Sequence, residues 1–599
     1  MAPKSSLLVA AAAVAGLASA GEVPWDTLNS TVSGRLQLAI PIEKACFTSY
    51  NGHPNTVDTE ACDAIRANYT SNDLRIDNPQ VYMQLASQIC VSDPSDQCVL
   101  DATSLPATMP SPNSTCRTGN VPSYFLEVNT AADVSAAFKF AKENQGVEIS
   151  VKNSGHDFMT RSSGKGTLNL WTHKLQGMTY HDNFKPKGCS KSVGAAMTVM
   201  AGVSTGDAYD FADAHNALIM GPYAPSVPIS AGWVTGGGHT VFAPVFGMGA
   251  DRVVEFNIVT PDGVERVANE EQNSDLFWAL RGGGGGSFGV ILSATHRVEP
   301  RTSIGYADIH LPSNITTDQA LDWVKLLAED SLAWGYAGWG GHVGGTFVTH
   351  FNPLPALTND NGTAARAAFQ RATDFALALG GTSHVAVEES FSTIFNRDMV
   401  PKDHKMGGNF HFTTTRLMPT SMFESAEGID TLIQYMREAI DMGFDPRSFY
   451  TPVTTPFVYK ANGTKNAKPK DYGTSMTQAW YKALWHVESS KMIPVGSTYQ
   501  ERLTALTNLT TLTVKLENIM GADGGSYMNE ADPFTPDWKE SFYGLDNYEK
   551  LLKIKNKYDP QGLLKCWKCV GFDEEKDSEL ERFACNKKIQ ADIIKGLKA

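Results

Sequence analysis

The sequence predicts an α+β fold, and three observations support this prediction. From residue 124 onward, hydrophobic runs of strand length alternate with stretches of helical periodicity. The 599 residues, 42% of them hydrophobic, are enough to form more than one domain with a large core. Glycine is concentrated in tracts between Gly232 and Gly289, and such tracts are absent from about residue 305 to 519. The glycine-rich region and the region that follows it are therefore expected to form different parts of the fold.

The first twenty residues predict a cleaved secretory signal peptide. Lys4 precedes an apolar stretch over residues 7–17, and the segment ends in Ala-Ser-Ala at residues 18–20. A buried N-terminal helix is the alternative, but no polar face interrupts the apolar run. No other segment has the roughly 20 apolar residues that a membrane span needs. We expect a secreted, extracellular protein without a membrane partner. N-linked glycans are expected at the sequons of Asn29, Asn68, Asn113, Asn314, Asn361, Asn462 and Asn508.

Charge and cysteine content narrow the class of protein further. The chain has 50 Lys and Arg against 64 Asp and Glu, a formal net charge of −14, which argues against a nucleic-acid partner. Nine cysteines cluster at the two ends, except for Cys189, which we expect to be unpaired. Cys566 and Cys569 resemble half of a zinc or redox motif, but no second half follows at ligand spacing, so a structural disulfide is favoured. The sequence predicts no metal site.

The elements follow in order along the chain. Residues 21–117 are Cys-rich and contain one expected helix, 79–89. A strand–helix–strand unit is expected at 124–128, 131–144 and 147–151. Further strands are expected at 198–201, 255–259, 264–267, 289–298 and 347–351, and further helices at 275–280, 317–330, 364–379 and 546–558. Pro261, Asp262 and Gly263 indicate a hairpin turn between two of these strands.

Three glycine tracts indicate a ligand that lies close to the backbone. They are Gly155 before His156, residues 230–238, and residues 281–289, and each follows or separates predicted elements. Flexible linkers are the alternative for each tract taken alone. Neither a dinucleotide fingerprint in strand–turn–helix context nor a P-loop is present, so NAD and ATP enzymes are disfavoured. A tightly held redox cofactor suits a secreted protein better.

The residues in these tracts resemble a known family. The resemblance is carried by residues 121–158, 201–207, 232–238 with 249–251, 275–284, 415–419, 480–486, 527–529 and 558–560. Together they are similar to the PCMH-type FAD-binding domain of the vanillyl-alcohol-oxidase (VAO) superfamily, in particular its fungal berberine-bridge-enzyme-like branch. The resemblance spans about residues 120–572. It implies a two-lobed fold in which an antiparallel sheet covered by helices forms the substrate domain.

The resemblance also divides the chain. After the signal peptide and the extension 21–117, residues 118–304 would form the FAD-binding domain and residues 305–520 the substrate domain. Residues 521–599 would be a berberine-bridge-like segment that returns to the FAD domain.

The same resemblance implies FAD as the cofactor, attached to the protein through His156. Some relatives have a second link through a cysteine before the second tract, but residues 223–228 contain none, so a single covalent bond is expected. A neutral imidazole is required for the attachment. His239 is interpreted as a pocket or structural residue. The expected cofactor-binding residues are His156, Lys152, Asn153, Ser154, Gly155, Asp157, Gly232, Thr235, Gly236, Gly237, Gly238, Gly249, Asp251, Val290, Tyr527 and Asn529.

The sequence identifies the catalytic base less clearly than the cofactor site. The resemblance implies that Tyr527 lies beside the flavin ring and acts as a base in some members, although a phenol with an ordinary pKa of about 10 needs help to do so. Packing is the alternative role for Tyr527. Strand alternation places His411 and Glu488 on polar faces, which makes them rival bases.

Three functions remain open at this level. The leading one is an FAD-dependent oxidase that transfers a hydride from an alcohol, sugar or secondary metabolite, with O2 reduced to H2O2. Its partners would be this small-molecule substrate and O2. The second is a flavin dehydrogenase or oxidative cyclase of the same fold with another acceptor. The third is a noncatalytic secreted glycoprotein.

Overall fold

The computed structural model describes residues 23–111, 114–355, 361–403, 407–454 and 473–598. It confirms the α+β class, since parallel and antiparallel sheets are interleaved with helices. The expected signal peptide and the sequons at Asn113 and Asn462 lie outside these residues. Among the helices described, none combines the length and the apolar composition that crossing a membrane demands.

The first sheet contains the strand–helix–strand unit expected from the sequence. Its four strands lie in the order Leu36–Leu38, Tyr124–Glu127, Leu168–Trp171 and Ile149–Lys152. The last three run parallel, and Leu36–Leu38 pairs antiparallel at the edge. Helix Ala131–Glu143 follows Tyr124–Glu127; Thr130 and Asp133 close a capping box at its start, and Val134 and Phe138 are fully buried on its inner face.

The second sheet is antiparallel and carries the second and third glycine tracts between its strands. Its five strands lie in the order Glu265–Ala268, Val253–Val259, Val290–Arg297, Ala196–Met200 and Met178–His181. The expected hairpin turn is present, and Asp262 Oδ1 accepts hydrogen bonds from Thr260 Oγ1 and Val264 N. Helices Thr205–Ala214 and Ser274–Leu280 share a hydrophobic core with this sheet.

A large antiparallel sheet of seven strands forms the second lobe. Its order is Thr382–Glu388, Ile304–His310, Phe347–Asn352, Gly340–Gly344, Tyr450–Thr454, Ala483–Met492 and His411–Pro419. Helices Thr317–Tyr336, Ala426–Asp441 and Tyr499–Met520 bury their apolar faces in its core. The single helix expected at 364–379 is two helices, Thr363–Ala368 and Gln370–Ala378, that meet at Phe369. The expected sheet covered by helices is confirmed.

The shorter helices connect and cover these layers. They are Trp25–Thr31, Thr59–Ala67, Asn72–Ile76, Gly232–Thr235, Ala243–Phe246, Gly249–Arg252, Phe391–Ile394, Val400–Asp403, Trp538–Tyr543, Leu545–Tyr558 and Ala584–Lys598. Two pairs of short strands, Ser49–Tyr50 with His53–Pro54 and Ala217–Leu218 with Glu299–Pro300, complete the fold.

The helix expected at 79–89 is wrong. Only Leu85–Ser87 forms a short 3-10 turn there. Lys152 Nζ donates to the carbonyls of Asn78 and Val81 at 2.6 and 2.5 Å, and Arg75 donates to that of Tyr82 at 2.8 Å. These tertiary hydrogen bonds occupy the carbonyls that a helix would use, so they override the local apolar periodicity.

Four disulfides lie near the two ends of the chain, three each within one end and one between the two ends. They are Cys46–Cys62, Cys98–Cys116, Cys566–Cys569 and Cys90–Cys585, and Cys189 is unpaired as expected. The last of the four ties the N-terminal extension to the start of the final helix.

The C-terminal segment reaches both lobes. Lys555 Nζ donates to the carbonyl of Ser287, within the third glycine tract, at 2.6 Å. The final helix, Ala584–Lys598, packs against Tyr499–Met520. The boundaries expected at residues 117, 304 and 520 stay predictions.

Candidate active site

One large cavity lies where the two smaller sheets, the large sheet and the C-terminal segment meet. Its volume is about 720 Å³, enough for a cofactor and part of a substrate. Residues from every part of the fold line it, among them Val151, Asn153, Ser154, Gly155, His156, Asp157, Gly232, Thr235, Gly286, Val290, His342, His411, Glu488, Tyr527, Asn529 and Glu530.

The loop after strand Ile149–Lys152 brings His156 to this cavity. Gly155 has a φ of +82°, and a Cβ there would lie 3.0 Å from Tyr82 Cδ1, so both its conformation and its space favour glycine. His156 Nε2 lies 2.9 Å from Ser226 Oγ, a hydrogen bond that orients the ring. Desolvation by the surrounding protein lowers the pKa of His156 to about 4, against a smaller opposing effect of Glu530. The imidazole is therefore neutral at physiological pH.

Asn529 connects three segments of the cavity wall. Its side-chain amide donates to the Tyr527 hydroxyl at 2.7 Å and to the Gly232 carbonyl at 3.0 Å. Its Oδ1 accepts from Arg161 Nη2 at 2.6 Å, and Arg161 in turn pairs with Asp157 in the loop of His156. The C-terminal segment is thereby fixed to the first and second glycine tracts.

The second glycine tract divides into a cavity side and a packing side. Gly232 and Thr235 line the cavity, and a Cβ on Gly232 would meet no atom within 4 Å. Gly236 lies against Asn529, where a Cβ would approach Nδ2 to 2.5 Å, and Gly238 lies against Gly249, where it would approach Cα to 3.1 Å. Close packing thus explains these glycines without a ligand.

Six expected cofactor residues lie outside the cavity wall. They are Lys152, Gly236, Gly237, Gly238, Gly249 and Asp251. Lys152 is fully buried and its ammonium donates to backbone carbonyls of the N-terminal extension, and burial lowers the pKa of this lysine. Asp251 Oδ2 accepts from Met248 N at 2.9 Å and closes the start of a short helix. A direct role for these six residues stays a prediction.

The three expected bases all line the cavity, but the protein shifts their pKa values in different ways. Burial, reinforced by the negative charge of Glu530, raises the pKa of Tyr527 well above its ordinary value. Burial and the same charge raise the pKa of Glu488 to about 7, although Ser490 Oγ donates to its carboxylate at 2.7 Å. Burial lowers the pKa of His411 to about 4. At neutral pH, His411 and the ionised fraction of Glu488 can accept a proton, whereas the protonated Tyr527 phenol cannot.

The cavity fits a polar cofactor such as FAD. Several buried polar atoms on its wall have no hydrogen-bond partner within the described part of the chain, and three of them lie close together in sequence: Asn153 Oδ1, Arg161 Nη1 and Ser162 Oγ. Buried polar atoms are seldom left unpaired, so these three indicate a missing polar ligand. The space in front of Gly232 and Gly286 allows such a ligand to approach the backbone.

Comparisons with known proteins agree with this geometry. Residues 122–268 match the family described as FAD binding domain, and residues 526–566 match the family described as berberine and berberine like. The chain is 36% identical over 589 residues to an FAD-linked oxidoreductase of Aspergillus flavipes, with 94% of each chain covered. The chain belongs to the berberine-bridge-enzyme-like branch of the VAO superfamily. It is an FAD-linked oxidoreductase.

Two further relatives of this FAD-linked oxidoreductase are informative. A bifunctional decalin synthase of Penicillium decumbens is 28% identical over 570 residues, covering 92% of this chain and 91% of that one. The crystal structure of a VAO-type flavoprotein from Myceliophthora thermophila C1 matches with a TM-score of 0.77 at 28% identity, over 91% of this chain and 94% of that chain. The expected family and fold are confirmed.

Sequence reasoning missed one group in the oxidoreductase's cavity wall. His239, His486 and Glu530 come from the second glycine tract, the large sheet and the C-terminal segment, and their side chains meet. His239 Nε2 lies 3.2 Å from Glu530 Oε1. No spacing along the chain indicates this group, because its members are far apart in sequence. The adjacency of Glu530 to Asn529 is the one signal that could have placed it at the site.

Proposed function

We propose that this FAD-linked oxidoreductase is a secreted oxidase that takes a hydride from an alcohol, sugar or secondary metabolite and reduces O2 to H2O2. The observation that carries the proposal is the shared cavity. His156 faces it from the first sheet, and His411 faces it from the large sheet. A cofactor attachment point and a proton acceptor therefore face the same space. FAD, when bound, supplies the hydride acceptor.

The proposed attachment of FAD is a single covalent bond to His156. Two properties of this residue support it: the ring is neutral, and Ser226 holds it at the cavity surface. The residues from 221 to 230 contain no cysteine for a second bond. Asn153, Ser154 and Gly232 line the cavity close by and would hold the cofactor together with Thr235, Val290 and Asn529.

We assign the base to His411 rather than to Tyr527. His411 is neutral, lines the cavity, and its Nδ1 is buried without a hydrogen-bond partner among the described residues. Tyr527 is held in the protonated phenol form by burial and by the negative charge of Glu530. A protonated phenol can donate a hydrogen bond to a substrate oxygen but cannot take its proton.

The substrate side of the cavity favours a bulky secondary metabolite over a sugar. Tyr223, Phe347 and Met399 contribute large apolar surfaces there, whereas a sugar needs many polar partners. The relationship to a decalin synthase favours a second candidate, an oxidative cyclisation in the same cavity.

Peroxide release tests the oxidase against the cyclase or dehydrogenase. The purified protein, which should be yellow, is screened with alcohols, oligosaccharides and polyketide-like alcohols, with peroxide as the readout. Its flavin is then reduced anaerobically and mixed with O2. Rapid reoxidation with stoichiometric peroxide supports the oxidase, and slow reoxidation that another acceptor accelerates supports the alternative. A colourless protein would contradict both.

Secretion is proposed from the disulfides together with the sequons. Eight cysteines are paired, which suits an oxidising compartment. Asn68, Asn314 and Asn361 are exposed, whereas Asn29 and Asn508 are half-buried. Glycans are therefore proposed at the first three, and a mass shift upon deglycosylation of protein from the culture medium would test them.

A further inference from the structure

The cluster of His239, His486 and Glu530 contains buried polar atoms that have no hydrogen-bond partner among the described residues. His486 is fully buried, and neither of its ring nitrogens has a hydrogen-bond partner in the part of the chain that the structure describes. Glu530 Oε2 is likewise buried and has no hydrogen-bond partner among the described residues. Leaving buried nitrogens and oxygens unpaired is unfavourable, so an additional group that bonds to them is expected.

The distances in the cluster suit a metal ion. His239 Nε2 lies 3.2 Å from Glu530 Oε1, and His486 Nδ1 lies 3.8 Å from Glu530 Oε2. One ligand atom from each residue can be chosen so that all three lie within 4.8 Å of one another. Nitrogen and oxygen ligands that bind Zn²⁺ tetrahedrally at about 2.0–2.1 Å lie about 3.4 Å apart. The His239 Nε2–Glu530 Oε1 separation is close to this value, and the 4.8 Å limit on the whole group requires only a small closure around an ion.

We infer that His239, His486 and Glu530 bind one divalent transition-metal ion of the zinc class in the wall of the flavin cavity. Two imidazoles and one carboxylate are a common ligand set for such ions. His239 and Glu530 line the cavity, so the remaining coordination positions are accessible to water or to an oxygen atom of the substrate. This site goes beyond the proposed oxidase function, which requires no metal.

The surroundings hold the three ligands in place before an ion binds. His486 lies on strand Ala483–Met492, opposite Leu417 of the neighbouring strand. Trp233 Nε1 donates to the backbone carbonyl of His239 at 3.1 Å. The rings of Trp480 and Tyr527 lie 5.5 and 5.8 Å from that of His486 and exclude water from its far side. A fixed set of ligands behind an apolar shell is typical of protein metal sites.

A direct ion pair between His239 and Glu530 is the competing explanation. It accounts for the 3.2 Å contact but leaves both nitrogens of His486 and one oxygen of Glu530 without a hydrogen-bond partner among the described residues. A bound metal ion would give each of the three residues a partner, through one nitrogen of His239, one nitrogen of His486 and the carboxylate of Glu530.

Metal binding is measured on the untagged flavin-containing protein. The protein is dialysed against EDTA, titrated with Co²⁺ or Zn²⁺, and analysed for retained metal after gel filtration. We expect one equivalent per chain, and a difference spectrum of nitrogen-ligated Co²⁺. His486→Ala and Glu530→Gln should each weaken binding by more than the 10- to 100-fold that loss of an outer partner causes. His411→Ala removes a cavity histidine outside the cluster and should retain the equivalent.

Several results would overturn the inference. These are a wild-type protein that retains no Co²⁺ or Zn²⁺, or variants that retain as much metal as the wild type. Loss of metal in His411→Ala as well would show that the ion binds elsewhere. Flavin content and melting temperature report whether each variant is folded; if His486→Ala does not fold, the conservative Glu530→Gln decides. Because retained metal is the readout, the result is independent of whether the protein is an oxidase.

Discussion

The two walls of the cavity differ in whether backbone or side chains face the interior. On the glycine wall, formed by Gly155, Gly232, Gly285 and Gly286, backbone faces the interior, with open space in front of Gly232 and Gly286. On the side-chain wall, formed by His342, Thr349, His411 and Glu488, side chains of the large sheet face it. The first wall recognises a ligand by close approach, and the second by charge, protonation and bulk. Substitutions on the two walls should therefore impair different properties of the protein.

The largest effect is expected on the glycine wall at His156. His156→Ala removes the only proposed attachment atom, so flavin fluorescence should disappear completely from the protein band of a denaturing gel. The native variant should still bind FAD noncovalently, because the backbone of the glycine wall is unchanged. Ser226→Ala is the matched control, since it removes only the hydrogen bond to the ring. A fluorescent His156→Ala band would place the attachment elsewhere.

The next effect is expected on the side-chain wall at His411. Loss of a base typically slows the chemical step by about 10² to 10⁴. His411→Ala should slow anaerobic flavin reduction by a factor in that range, measured by stopped flow with a substrate from the peroxide screen. Tyr527→Phe should slow it by less than about tenfold, because this phenol is already protonated. The reverse order, with full flavin content in both variants, would make Tyr527 the base.

The difference between the walls also explains what the sequence could predict. Local patterns placed strand Ile149–Lys152, its glycine turn and His156 at the cavity, because consecutive residues form that unit. Local periodicity failed at 79–89, where side chains of Arg75 and Lys152 take the backbone carbonyls. It could not indicate the meeting of His239, His486 and Glu530. Contacts between distant segments depend on tertiary packing, which has no period along the chain.

A smaller effect separates the two sides of the second glycine tract. Gly232→Ala places a methyl group in open space within the cavity, so it should lower FAD retention without lowering the stability of the flavin-free protein. Gly236→Ala places it 2.5 Å from Asn529 Nδ2, and such overpacking typically destabilises by about 1–3 kcal/mol. The measurements are flavin content after gel filtration and urea unfolding. Equal behaviour of the two variants would remove the distinction between a cavity side and a packing side.

The smallest effect compares a buried histidine in each lobe across pH. His296 accepts or donates a hydrogen bond with Ser230 Oγ at 2.9 Å in the FAD lobe, and His350 lies in the large sheet. Burial lowers the pKa of each to about 3, from an ordinary value of about 6.5. The unfolded chain therefore binds a proton near pH 6.5 that the folded protein cannot bind until a much lower pH. Each histidine thus makes stability fall as the pH decreases below about 6.5.

The size of this effect follows from the shift. At pH 5.5, one unit below the ordinary pKa of histidine, protonation stabilises the unfolded chain by about 1.4 kcal/mol. His296→Gln and His350→Gln each remove one of these titrating groups. As the pH falls from 7.5 to 5.5, the free energy of unfolding of each variant should therefore rise by about that much relative to the wild type. Melting temperatures across this range are the measurement, and His215→Gln is measured beside them as the variant of an exposed histidine. Profiles parallel to the wild type would mean that the buried ring is protonated in the folded state. A gain in one variant alone would mean that the other of the two rings is already protonated in the folded protein at pH 5.5.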